Sequence, residues 1–171
     1  MAALNQDPVL SDPQVALMAL DADLSRVLRG KTIDEVGWQR PDPLTLLIPM
    51  WAAVAGAPPD LFLLKLYFGY YPEWPASAQF VNPITRVYDL EKDKIWLPRI
   101  EGNSRIQVHA KYEGNGRKLQ LICSSMTLEF YLVRHGGKEE DVWSHPQRNF
   151  SATINEITGG LLPQWYRGRM S

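Results

Sequence analysis

Cys123 is the only cysteine in the chain, and it closes an apolar, strand-like run, Leu119-Gln-Leu-Ile-Cys123, that opens onto Ser124 and Ser125. A thiol at a strand exit can act as a nucleophile, because its thiolate attacks carbonyl carbon without help from a metal. An exposed cysteine with no basic neighbour titrates near pH 8.5, which leaves a few per cent thiolate at neutral pH. The competing reading is a buried structural cysteine, since free Cys is among the most buried residue types. His135 follows Glu129-Phe-Tyr-Leu-Val-Arg134 and falls in a predicted loop beside the thiol. There an imidazole can deprotonate an incoming amine or orient a partner group, or it can simply stand in solvent. His109 shares a pleat with Gln107 and Lys111, opposite Val108 and Ala110, which predicts a surface strand residue. Three histidines and one cysteine without paired short spacing predict no zinc site. No Gly-rich phosphate loop or dinucleotide fingerprint is present, so no cofactor is expected and any ATP chemistry would come from a partner.

The elements that must position these groups follow from punctuation and period. Asp12-Pro13 supplies an N-cap and a first-turn proline, and Val15, Met18, Ala22, Leu24 and Val27-Leu28 approximate one apolar face before Gly30, predicting a helix over 13–29. Residues 44–54, 61–68 and 78–88 are apolar or alternating runs separated by Pro- and Gly-rich turns, which reads as an antiparallel meander. Residues 104–112 alternate, and Glu113-Gly-Asn-Gly116 joins them to 119–123 with a hairpin signal in which Asn115 can supply positive φ. A last helix begins near Gln147, with Phe150, Ile154, Ile157 and Leu161 at helical spacing and Gly159-Gly160 weakening its end. Helix, meander, helix is an α+β layout.

Eighteen Lys plus Arg against nineteen Asp plus Glu leave no strong field, so neither a nucleic acid nor a membrane surface is an expected partner. A chain of 171 residues fits one domain, read as residues 12–171 behind a loose arm of residues 1–11. The start lacks the basic and apolar regions of a signal peptide, and one cysteine forms no internal disulfide, so a cytoplasmic location is expected. The longest apolar stretch, residues 46–58, is interrupted by prolines and shorter than the ~20 residues a bilayer requires.

Tyr71-Pro72-Glu-Trp-Pro75 with Phe80 behind it, Tyr112 and Asn115 ahead of Cys123, and Trp143 twenty residues after the cysteine stand in a recognisable order. In that order the chain resembles the ubiquitin-conjugating enzymes. Phe62-Leu-Leu-Lys-Leu-Tyr-Phe68 is similar to the family's third strand, which enters the Tyr-Pro turn, and Asn115 keeps the family's eight-residue distance to the cysteine. Ala76 replaces the family's second proline, and the histidine and proline between the family's tyrosine and asparagine are absent. About two dozen extra residues separate Phe80 from Tyr112, and Lys138-Glu-Glu-Asp141 falls in the loop behind the cysteine. The family's last two helices are expected to be missing, as in its compact bacterial members, which occur beside activating enzymes or in anti-phage signalling loci.

The resemblance implies a transferase that accepts a ubiquitin-like modifier from an activating enzyme as a thioester on Cys123 and passes it to an amine of an acceptor protein. It gives Asn115 the role of donating its side-chain amide to the oxyanion. It places Phe68, Tyr71, Pro72 and Trp74 near a face used for partner proteins, although these residues also read as ordinary core and turn packing. Two further readings stay open: a noncatalytic adaptor of the same fold, and an α+β domain whose tryptophans line a pocket for a small ligand.

Overall fold

The computed structural model describes residues 4–137 and 141–171. Its layout is α+β. Helix α1 spans Pro13–Leu28, and the Asp12 carboxylate caps it by accepting from the backbone N–H groups of Gln14 (2.9 Å) and Val15 (3.3 Å). The buried face is Ala16, Leu20, Asp23 and Leu24, not the one read from the apolar residues. Val15 and Met18 are exposed, because the helix turns a carboxylate inward. Asp23, 1% exposed, accepts from the Tyr71 hydroxyl and pairs with His145 Nε2 at 2.8 Å. A pattern built on hydrophobicity cannot choose such a residue for the core.

Strands β1 (Gln39–Asp42), β2 (Thr45–Ala52), β3 (Asp60–Tyr67) and β4 (Ser77–Val81) form an antiparallel sheet in sequence order. The register sets Leu46, Ile48 and Met50 opposite Leu66, Leu64 and Phe62, and all six point into the core. β1 carries no apolar alternation and is absent from the sequence reading. The strand expected to reach residue 88 stops at Val81. Asn82 turns the chain there: its side chain accepts from Ile84 N–H (2.9 Å) and donates to the Asp93 carboxylate (2.9 Å), ahead of Pro83.

The segment between β4 and β6 holds β5 (Pro98–Ile100), which pairs with β8 (Tyr166–Arg169) near the end of the chain. β6 (Gln107–Gly114) and β7 (Arg117–Cys123) make the expected hairpin, followed by α2 (Leu128–Leu132) and α3 (Phe150–Gly160). Asn149 caps α3 through the Ser151 N–H at 2.9 Å, two residues beyond the predicted start. Both β5 and β8 are too short for periodicity to reveal.

Two side chains join the hairpin and α2 to the sheet. The N–H groups of Ala78 and Phe80 point away from β3, and among the described residues no strand covers them. Gln120 fills one gap, accepting from Phe80 N–H and donating to Phe80 C=O, both at 2.8 Å, as a strand would. Glu129 fills the other, accepting from Ala78 N–H (3.0 Å) and the Ser77 hydroxyl. The free edge of β4 is thereby closed by an amide and a carboxylate rather than by backbone.

The segment predicted as a loose arm makes contacts. Leu4 packs against the core, and the Asp7 carboxylate accepts from Asn115 Nδ2 and Arg134, both at 3.2 Å. Among the described residues no helix is long and apolar enough to cross a membrane.

Candidate functional site

Cys123 ends β7 half-buried, and Thr127 holds the turn beyond it by donating to Ile122 C=O at 2.8 Å and Ser124 C=O at 2.9 Å. His135 arrives from the other side, off the end of α2. Arg134 takes left-handed φ (+50°), its N–H donates to Tyr131 C=O (3.1 Å), and His135 N–H donates to Phe130 C=O (3.0 Å). That pair of reversed bonds is a Schellman stop, and its customary apolar contact is here the His135 ring against Phe130, centroids 5.1 Å apart. Tyr112 takes the imidazole's other flank at 5.6 Å. Held between two aromatic rings, His135 brings Nε2 to 3.4 Å from Cys123 Sγ, while Nδ1 lies 3.2 Å from Gly136 C=O. Nδ1–H donating to that carbonyl leaves the Nε2 lone pair facing the thiol.

The pair forms part of the wall of an open cleft of about 450 Å³, with Ser104, Arg105, Met126, Arg148 and Glu156 among its other lining residues. Arg148 donates to the carbonyls of Asp141 (2.7 Å) and Val142 (3.2 Å), and Arg105 lies 4.0 Å from Glu156. Burial pushes the Cys123 thiol above its ordinary value. Burial and then the charge of His135 push His109 down. His109 is half-buried rather than fully solvated, because its ring leans on Tyr112 at 5.4 Å. Among the described residues no three His, Cys, Asp or Glu side chains gather as a metal ligand set.

Of the expected site residues, the fold unites Cys123 and His135 and sets Asn115 far from the thiol. Asn115 (φ +50°) and Gly116 (φ +70°) form the two-residue turn of the β6–β7 hairpin, whereas Cys123 lies at its opposite end, paired with Gln107. Six residues of extended β7, about 20 Å at roughly 3.3 Å per residue, lie between the turn and the thiol. The oxyanion role is therefore corrected to a structural one. Asn115 Nδ2 donates to Leu132 C=O at 3.1 Å, satisfying an orphan carbonyl at the end of α2, and Gly114 lets the hairpin approach there, since a Cβ would meet Val133 C=O at 2.7 Å. Asn115→Gly keeps the turn and loses this bond. It is expected to cost about 1 kcal/mol in chemical denaturation and to leave the rate of Cys123 alkylation within about twofold. A loss of 10²–10³ in thioester discharge, the order expected for a lost oxyanion donor, would restore the catalytic role.

Phe68, Tyr71 and Trp74 are buried, so the packing reading is the one they satisfy, and only Pro72 of the four reaches the surface in part. Phe68 and Tyr71 pack edge-on at 5.3 Å. Trp143 Nε1 donates to Pro72 C=O at 2.9 Å, and Trp74 packs on Tyr131. The Tyr71–Pro72 peptide is cis. Neither the Cys123 cleft nor a second one, on the four-stranded sheet, is lined by a tryptophan. Lys138, Glu139 and Glu140 lie outside the described residues.

The ring clamp of Phe130 and Tyr112 escaped the sequence reading. Its only sequence signal is an apolar helix that stops without glycine two residues before a histidine. No protein-family model matches the chain, and comparison with curated proteins and with solved structures gives no match either.

Proposed function

We propose that the chain is a ubiquitin-conjugating-enzyme-like transferase that carries a ubiquitin-like modifier as a thioester on Cys123. The observation that carries the reading is the thiol facing His135 Nε2 at 3.4 Å in the wall of an open cleft. The order of the Tyr-Pro turn, the cysteine and the later tryptophan supports it. In loading, the thiol proton passes to His135 Nε2 and the sulfur attacks the carbonyl carbon of the thioester presented by the activating enzyme. The tetrahedral intermediate expels that enzyme's thiolate, which recovers the proton. In discharge an acceptor amine attacks the new thioester, gives its proton to His135, and releases Cys123 sulfur. The exchange trades one thioester for another, so ATP is spent only by the activating enzyme.

The experiment is incubation with the activating enzyme, ATP and modifier, followed by electrophoresis with and without excess thiol. Wild type is expected to form a larger species that thiol removes, Cys123→Ser a thiol-resistant oxyester, and Cys123→Ala neither. Loading of Cys123→Ala to the wild-type level sinks the reading. The noncatalytic adaptor is favoured by one finding, the commitment of Asn115 to the distant turn and the α2 cap. Failure of wild type to load, with retained binding of the modifier, selects that alternative.

A further inference from the structure

The outer face of the four-stranded sheet holds a second cleft, about 410 Å³, lined by Asp42, Thr45, Lys65, Tyr67, Ser77 and Gln79. The register explains its composition. Thr45, Tyr67 and Ser77 lie directly opposite one another across β2, β3 and β4, and Lys65 and Gln79 are opposite in a neighbouring row. Residues so placed share one face of the pleat with Cβ atoms about 5 Å apart. The face is polar here, whereas the adjoining row of the inner face is Leu46, Leu66 and Ala78.

Four of these side chains have no polar partner within the protein. Among the described residues, Thr45 Oγ1, Lys65 Nζ, the Tyr67 hydroxyl and the Gln79 amide have no hydrogen-bond or ion-pair partner. Thr45 is only 4% exposed, and no side-chain oxygen or nitrogen among the described residues is both buried and unpaired, so what its hydroxyl exposes faces the cleft. Lys65 is half-buried and has no carboxylate within ion-pair reach. Tyr67 is exposed, and its phenol ring lies against Gly69, where any Cβ would overlap it. Asp42, the one acid, stands exposed at the rim and accepts from Leu44 N–H at 2.9 Å. The lining thus presents to the cleft an ammonium, two hydroxyls and an amide NH₂, all able to donate.

We propose that this cleft binds a phosphate-type oxyanion, free or as a small phosphomonoester. A tetrahedral anion accepts from several directions at once, and Lys65 supplies the point charge that phosphate recognition uses. The site is independent of the thiol chemistry, because it shares no lining residue with the Cys123 cleft.

The test is an amide-resolved NMR titration with sodium phosphate and, separately, O-phosphoserine at constant ionic strength, with glucose as a neutral polyol. Saturable shifts at residues 45, 65, 67 and 79 are expected with the phosphates only. Lys65→Gln is expected to weaken binding about tenfold or more, and Thr45→Val several-fold, with melting temperature read alongside to exclude misfolding. Tighter O-phosphoserine assigns the site to an esterified phosphate, and tighter inorganic phosphate to the free anion. Shifts that never saturate, that persist in folded Lys65→Gln, that fall on Arg105 and Arg148 instead, or that follow glucose overturn the proposal.

Discussion

Loading of the His135→Ala variant is expected to be slower than wild type by about 10²–10⁴ at neutral pH, the usual contribution of one positioned base. Burial raises the Cys123 thiol, so the thiolate fraction at neutral pH is smaller than that of an exposed cysteine, and attack depends on a base within reach. Nε2 of His135 at 3.4 Å is the base the fold supplies. The defect should shrink as pH rises, because hydroxide then does the deprotonation. A packing defect would not shrink in that way. Iodoacetamide alkylation of Cys123 gives the same comparison without partners. Equal alkylation of wild type and His135→Ala across neutral pH would show that the imidazole takes no proton from the thiol.

A second large effect is expected in stability. Glu129 is 2% exposed, and burial pushes its carboxyl up to about 7 from the ordinary 4.5. Between those two values the folded chain holds a proton there that the unfolded chain has released. Unfolding free energy therefore falls as pH rises through this window. The stability from this group is fully present below about pH 4.5 and lost by about pH 7, a change on the order of 3 kcal/mol at about 1.4 kcal/mol per unit. Glu129→Gln keeps an acceptor for Ala78 N–H and a group that can hydrogen-bond to Ser77, and carries no titrating proton. Its denaturation free energy should be flatter than wild type between pH 5 and 8, and the two curves should approach one another at the acid end. Parallel curves would show that Glu129 titrates as an ordinary carboxylate.

Long elements and turns with distinctive chemistry were legible in the sequence. Asp12-Pro13 marks the start of α1, the Asn115-Gly116 pair marks the hairpin, and Phe150, Ile154 and Ile157 mark α3, because each signal is local. What stayed hidden depends on residues far apart in the chain. The inward face of α1 is decided by Asp23 meeting Tyr71 and His145, 48 and 122 positions away. β5 and β8 pair across 66 or more residues and carry too few residues each to show a period. At the site, Cys123 and His135 were identifiable by type, but their meeting depends on how α2 stops. The misreading of Asn115 has a related cause: an Asn-Gly pair satisfies a spacing rule and a turn rule at once, and only the register tells which one governs.

The amide of Gln120 and the carboxylate of Glu129 on β4 also bear on how this protein meets other chains. At the opposite border of the sheet, β1 contains Pro41, which has no N–H to offer, and its pairing with β2 is already irregular. One border is occupied and the other is chemically blunted, so neither is a ready template for an added strand. Adding a flexible peptide to this sheet as a fifth strand is therefore disfavoured, and so is stacking of copies through its two borders.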